Sequence, residues 1–111
     1  TANNTAGTIV FGFNYGGQLE VLDAVKKIVQ SGISADEISL DTIANALYLP
    51  DLPPADLIVR TSGEQRLSNF LLWRSAYSEL LFIKKAWPDM TKEDVDSIIK
   101  EYAKRQRRFG A

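Results

Sequence analysis

Apolar and polar positions along this chain follow two rhythms, and where one gives way to the other marks the elements. Residues 8–13 (Thr-Ile-Val-Phe-Gly-Phe) are β-branched and aromatic and predict a strand. Asn14-Tyr15-Gly16-Gly17 predicts a turn. Leu19, Leu22, Val25, Ile28 and Val29 then recur at helical spacing, and Ser31-Gly32 should end that helix. Ser34-Ala35-Asp36-Glu37 fits a capping box, although the segment after it is short. Residues 40–49 predict a second helix, which Pro50 ends, with Pro53 and Pro54 stiffening the connection. Residues 56–60 form an apolar run with polar ends, as in a strand of a buried parallel sheet. Residues 69–77 predict a short helix and residues 79–83 a third strand. Pro88 breaks the chain, and Thr91-Lys92-Glu93-Asp94 caps a last helix whose apolar side is Val95, Ile98, Ile99 and Tyr102. Lys100, Lys104, Arg105, Arg107 and Arg108 crowd its end, where cations are favoured.

The order β-α-α-β-α-β-α predicts an α/β fold with a parallel sheet and flanking helices. Three strands make a narrow sheet with one flank uncovered. The chain also opens on Thr1 rather than methionine. Both features lead us to expect a piece of a longer protein.

Composition narrows the chemistry. The 111 residues suit one domain, with a real core within reach. Thirteen basic and 14 acidic side chains leave a net charge of −1, so no overall field draws nucleic acid or membrane. With no cysteine there are no disulfides and no thiolate metal sites. With no histidine the commonest general base and zinc ligand are missing. A metal here would be a hard cation held by carboxylates and phosphates, Mg²⁺ first among them. No apolar run approaches the roughly 20 residues of a spanning helix.

The candidate chemistry is concentrated in Arg60, Thr61, Ser62, Gly63, Glu64, Gln65, Arg66, Leu67, Ser68, Asn69 and Phe70. Two arginines, hydroxyls, an amide and a glycine lie between two apolar runs. Guanidinium forks match phosphate oxygens, and Gly63 lets backbone come close to a ligand. The set predicts an anion site for a phosphate or diphosphate.

Residues 56–73, from Asp56 to Trp73, resemble the main C-terminal motif of the cis-prenyltransferases, the undecaprenyl diphosphate synthase family. Ala76-Tyr77-Ser78-Glu79-Leu80, Trp87-Pro88-Asp89, Arg107-Arg108-Phe109-Gly110 and the upstream Asn14-Tyr15-Gly16-Gly17 resemble its other motifs, in the right order. The resemblance covers the family's C-terminal half only, with the Asp-Gly-Asn motif of the N-terminal half absent. It implies the C-terminal part of a parallel-sheet sandwich, residues 1–111 being half of a catalytic domain. It also implies Mg²⁺-dependent condensation of isopentenyl diphosphate with an allylic diphosphate such as farnesyl diphosphate, giving a polyprenyl diphosphate that can serve as a cell-wall lipid carrier. This half alone should be inactive. By the same resemblance Arg60, Arg66 and Ser68 hold isopentenyl diphosphate, Glu79 is a metal ligand, and Glu64 and Asn14 are catalytic. Arg108 and Gly110 reach the diphosphate of a neighbouring subunit in a homodimer. A cytoplasmic protein with at most peripheral membrane contact and no nucleic acid is expected. The sequence departs from the family at Gln65, where some relatives carry His, and at Gln18, where relatives often carry Arg.

Plainer readings stand beside these. Arg60 could pair with Glu64, and Ser68 could cap the helix over residues 69–77. Glu79 could be a charge at a strand edge, Glu64 a partner of an arginine or of backbone, and Asn14 a turn residue. Trp73, Tyr77, Phe82 and Trp87 are expected in the core. The basic end is a solvated helix terminus or a nucleic-acid patch. A non-catalytic partner subunit of a heteromeric enzyme is the alternative to the enzyme itself.

Overall fold

Helix α1 (Gly17–Ser31) ends as its sequence predicts, with Gly32 in the left-handed region at φ 73° and its N–H bonded to the Val29 carbonyl. A computed structural model describes residues 3–105. Helix α2 (Leu40–Ala46) packs on α1. It begins with Ser39, whose Oγ accepts from the Thr42 N–H. The Ser34 capping box forms too, but it starts only a single 3₁₀ turn, Ala35–Glu37. Strands β1 (Leu57–Arg60) and β2 (Glu79–Phe82) pair in parallel, with Leu57 opposite Glu79 and Arg60 opposite Phe82. A second 3₁₀ turn, Trp87–Asp89, surrounds Pro88 and leads to α3 (Lys92–Ala103).

Helix α3 is fixed to the sheet at both ends. At its start, Asp94 Oδ2 accepts from the Thr91 N–H at 2.7 Å, the Thr91 hydroxyl at 2.9 Å and Lys85 Nζ at 2.5 Å. At its end, Arg105 Nη1 donates to Glu79 Oε2 at 2.8 Å and to the Leu80 carbonyl at 3.0 Å. The Lys85 ammonium and the two Thr91 donors hold the Asp94 carboxyl down to about 2, from an ordinary 3.8. On acidification the unfolded chain therefore takes up this proton first. The stabilisation is complete above 3.8 and is lost as pH falls through about 2. A chemical-denaturation series between pH 5 and pH 2 should show this sloping loss, and Asp94→Asn should flatten it. An unchanged slope in the variant would remove Asp94 as its cause.

Four expectations are corrected. Residues 8–13 form no strand. A strand exists only where a neighbour pairs with it, and among the described residues no strand pairs with this segment. Residues 69–77 form no helix but a series of turns. Ser68, Asn69 and Leu71 have φ of 49°, 66° and 49°, and left-handed residues interrupt a right-handed helix. The sheet of the described residues accordingly has two strands, not three.

The third and fourth corrections concern burial. The stripe that α1 buries is Gly17, Glu20, Ala24 and Ile28. Of the apolar series read from the sequence only Ile28 is covered, while Leu19, Leu22, Val25 and Val29 are exposed. Trp87 and Tyr77, expected in the core, are 74% and 65% exposed. The buried apolar side chains among the described residues are Ala24, Ile28, Leu47 and Ile58. The Cα radius of gyration is 16.7 Å. A compact chain of this length would have about 13 Å, so the structure is open.

The interior is polar as well as apolar. Glu20, 1% exposed, accepts from the Tyr15 hydroxyl and, at 3.2 Å, from the Tyr48 N–H. Burial and the Glu20 carboxylate push the Tyr15 hydroxyl pKa up. Arg74, 7% exposed, donates to the carbonyls of Leu52, Tyr48 (2.6 Å) and Leu49 (2.8 Å). One guanidinium thereby gathers the whole stretch between α2 and β1.

Candidate functional site

The parallel pair brings the predicted anion-binding residues to the carboxyl end of the sheet, where open α/β sheets bind ligands. Arg60 is the last residue of β1. The loop beyond it is held against the exit of β2. Ile83 N–H donates to the Arg60 carbonyl at 2.8 Å, Gly63 N–H to Ile83 at 2.9 Å and Ser62 N–H to Lys85 at 2.9 Å. Gly63 has φ 72°, which a side chain would disfavour, and Ser62 bears the same conformation at φ 67°. Left-handed non-glycine residues gather here: Ser62, Ser68, Asn69 and Leu71 are four of the six among the described residues. Strain so localised is a mark of a functional segment.

A cleft of about 320 Å³ opens on this loop, lined among others by Arg60, Thr61, Ser62, Glu64, Arg66 and Phe70. Its two cations differ. Arg66 forms an ion pair with Glu64, both side chains half exposed. The Arg60 guanidinium has no ion-pair or hydrogen-bond partner among the described residues, so the Arg60–Glu64 pairing does not occur. An exposed pair such as Arg66–Glu64 contributes about 0–1 kcal/mol. The Arg66 guanidinium is thus only weakly held, and that of Arg60 is unpaired among the described residues.

The remaining predicted residues lie elsewhere. Ser68 lies between the lining residues Leu67 and Phe70 without itself lining the cleft, exposed and left-handed. With no helix after it, its capping role falls. Asn14 is an exposed turn residue at φ 50°. It lines a second cavity of about 300 Å³ with Tyr15, Phe70, Leu71 and Arg74. Phe70 borders both cavities, and its ring meets Tyr15 edge-on with centroids 5.8 Å apart. Arg108, Phe109 and Gly110 lie outside the described residues.

Glu79 stands at the opposite end of the sheet from Arg60. The register sets it three residues back along the strands, about 10 Å at the rise of a β-strand. Its carboxylate is taken by Arg105. Among the described residues no three carboxylates converge where a metal could bind. A hard divalent cation needs several oxygens. The described residues therefore do not fit a Mg²⁺ centre by themselves. Arg105 and Lys104, from the basic end, face Glu79 and Glu101 rather than forming an open patch. No helix among the described residues is long and apolar enough to cross a membrane. A groove of about 620 Å³ runs past Leu40, Pro53, Trp73 and Tyr77. Its one cation, Arg74, is already bonded to three carbonyls.

Sequence reasoning missed Glu20 and Arg74, and named Asn69 in the candidate stretch without its contact to α1. Asn69 accepts from the start of α1: its carbonyl from the Gly17 N–H at 2.7 Å, its Oδ1 from the Gln18 N–H at 2.8 Å. Glu20 and Arg74 build the buried network beside it. Glu20 was detectable as the one charge in the 17/20/24/28 stripe. Nothing local distinguishes Arg74.

The family model described as "Putative undecaprenyl diphosphate synthase" matches residues 1–110. An isoprenyl transferase of Thermotoga maritima is 57% identical over 105 residues, covering 93% of this chain and 45% of that protein. One from Zymomonas mobilis is 50% identical over 114 residues, covering 99% and 46%. The crystal structure of a probable undecaprenyl diphosphate synthase from Campylobacter jejuni superposes with TM-score 0.79 at 34% identity, covering 89% of this chain and 45% of that one. Lavandulyl diphosphate synthase from Lavandula x intermedia, in complex with dimethylallyl diphosphate, gives 0.78 at 36%, covering 87% and 44%. The chain thus spans about half the length of the relatives it matches. From its motif order, its parallel sheet and these matches together, the chain belongs to the prenyltransferase family of the undecaprenyl diphosphate synthases.

Proposed function

We propose that this chain supplies the isopentenyl diphosphate site for cis-prenyl transfer. The observation that carries the reading is the free Arg60 guanidinium beside a recruitable Arg66, in a cleft at the carboxyl end of a parallel sheet. Arg60 and Arg66 hold the diphosphate oxygens, and Thr61, Ser62 and Ser68 offer hydroxyl donors around them. In the reaction the allylic C1–O bond breaks and diphosphate leaves. A new bond joins that carbon to the terminal alkene carbon of isopentenyl diphosphate, and a proton is lost to form the cis double bond. The bound dimethylallyl diphosphate of the lavender enzyme supports a prenyl diphosphate as the ligand class.

No step of this reading runs through a metal, because the described residues assemble no cage for one. The chain alone is proposed to bind without turning over, since it spans about half of its relatives' length. A homodimer in which Arg108 and Gly110 reach the neighbouring diphosphate belongs to the same reading, as does peripheral contact with a membrane through the greasy product.

Titration calorimetry with isopentenyl diphosphate tests it. Saturable binding is expected, with none for isopentenol, which has the hydrocarbon without the charge. Equal binding of the alcohol, or no binding of the diphosphate by the folded chain, would contradict the reading.

A further inference from the structure

Helix α1 has an unusual start. Its N-cap is Gly16, which has no side chain to offer and makes no side-chain cap. The first N–H groups of a helix lack partners within it. Here one distant residue takes two of them, Asn69 accepting from Gly17 with its carbonyl and from Gln18 with its Oδ1. The fit depends on both glycines. A Cβ on Gly16 would stand 2.8 Å from Asn69 Nδ2. A Cβ on Gly17 would stand 3.1 Å from the Asn69 carbonyl oxygen and 3.0 Å from the Leu72 nitrogen. The Gly16-Gly17 pair is the slot into which residue 69 fits.

Asn69 is also the centre of the left-handed bend that closes the anion-binding loop. Ser68 and Leu71 flank it at positive φ. Phe70 N–H bonds back to the Leu67 carbonyl at 3.0 Å. Arg66 and Leu67 before the bend, and Phe70 after it, line the cleft. The bend holds an unfavourable backbone conformation at three residues and needs an external hold to keep it. The α1 N-terminus supplies that hold, and its leading N–H groups are thereby closed to phosphate.

We propose that Asn69 is a positioning residue: by capping α1 from across the fold it sets the bend that places Arg66 and Phe70 around the diphosphate. This rests on the proposed function only for the nature of the anion; the coupling between cap and loop stands on the hydrogen bonds alone.

The test uses the 111-residue chain, with inorganic diphosphate as the probe in calorimetry and amide hydrogen exchange read at Gln18 and Phe70. Asn69→Gly keeps a residue content at positive φ and the carbonyl that accepts from Gly17, and removes the Oδ1 that accepts from Gln18. Gly16→Ala leaves Asn69 intact and fills the slot against its amide. Each should weaken diphosphate binding roughly tenfold, the scale of one charge-assisted hydrogen bond. The double variant should be no worse than either, since both break one contact. Exchange at Gln18 and Phe70 should rise together, and Asn69→Asp, which keeps Oδ1, should restore protection at Gln18. A purely structural role would give additive losses, with protection at Phe70 following global unfolding.

Undiminished binding in Asn69→Gly, with binding lost in Arg60→Ala, would overturn the proposal. If Arg60→Ala binds like the wild type, or the wild type does not bind, the functional reading fails instead. The exchange data then decide the coupling: Phe70 freed along with Gln18 supports it, and Phe70 unchanged overturns it.

Discussion

Replacing Arg60 by alanine should weaken isopentenyl diphosphate binding about 10- to 100-fold, the loss expected for one or two hydrogen bonds to a charged group. Arg60 makes no bond within the described residues that the substitution would break. It ends β1, and the backbone bond from Ile83 to its carbonyl survives the change. The melting temperature should therefore stay close to that of the wild type, which separates loss of binding from loss of fold. Arg60→Lys should recover only part of the affinity, because an ammonium offers a point charge in place of a planar fork. Arg66→Ala should cost less than Arg60→Ala, since Arg66 first has to leave Glu64. Calorimetry at two salt concentrations gives the affinities. In the complete enzyme, an effect on the allylic substrate as large as that on isopentenyl diphosphate would contradict the assignment.

Arg74→Met should unfold the region between α2 and β1. Three carbonyls, those of Tyr48, Leu49 and Leu52, converge on one guanidinium that is almost wholly buried. Methionine keeps the bulk of the side chain and removes every donor. Each buried acceptor left bare costs about 1–3 kcal/mol. Water reaches exposed Leu49, so the sum is nearer the low end, about 3 kcal/mol. For a chain of this size that lowers the melting temperature by roughly 10–20 °C. Lysine should not rescue it, because its single nitrogen cannot reach acceptors set around a fork. Thermal melts followed by circular dichroism give the shift. A drop of only a few degrees would mean that the carbonyls are satisfied by water and that Arg74 is not their organiser.

How much of this was legible depended on how local the cause was. The Gly32 stop of α1, the Ser34 and Thr91 caps and the β1 run all act within a few residues, and their sequence patterns were sufficient or nearly so. The cation cluster of residues 60–66 was equally plain, because donors between two apolar runs have few uses. The errors came where a distant partner decides. Residues 8–13 have strand composition but no neighbour to pair with among the described residues. Residues 69–77 have helical composition, yet Asn69 is drawn into a left-handed bend by α1, more than fifty residues earlier. The leucine and valine series of α1 predicted the helix correctly and its buried face wrongly: with Gly16 and Gly17 closing on residue 69, the side that turns inward is the one bearing Glu20. The same distance hid the Glu79–Arg105 pair, which joins β2 to the end of α3.

The cap of α1 lies 51 residues downstream of the amide it accepts from. A ribosome adding 5–20 residues per second would emit the first turn of α1 roughly 3–10 seconds before Asn69 exists. During that interval the helix start is unfinished, and no adjustment of α1's own residues short of replacing Gly16 can complete it. Synthesis speed across residues 18–69 thus sets how long the nascent chain carries an open helix end, a quantity that synonymous codon choice can change while leaving every side chain described above untouched.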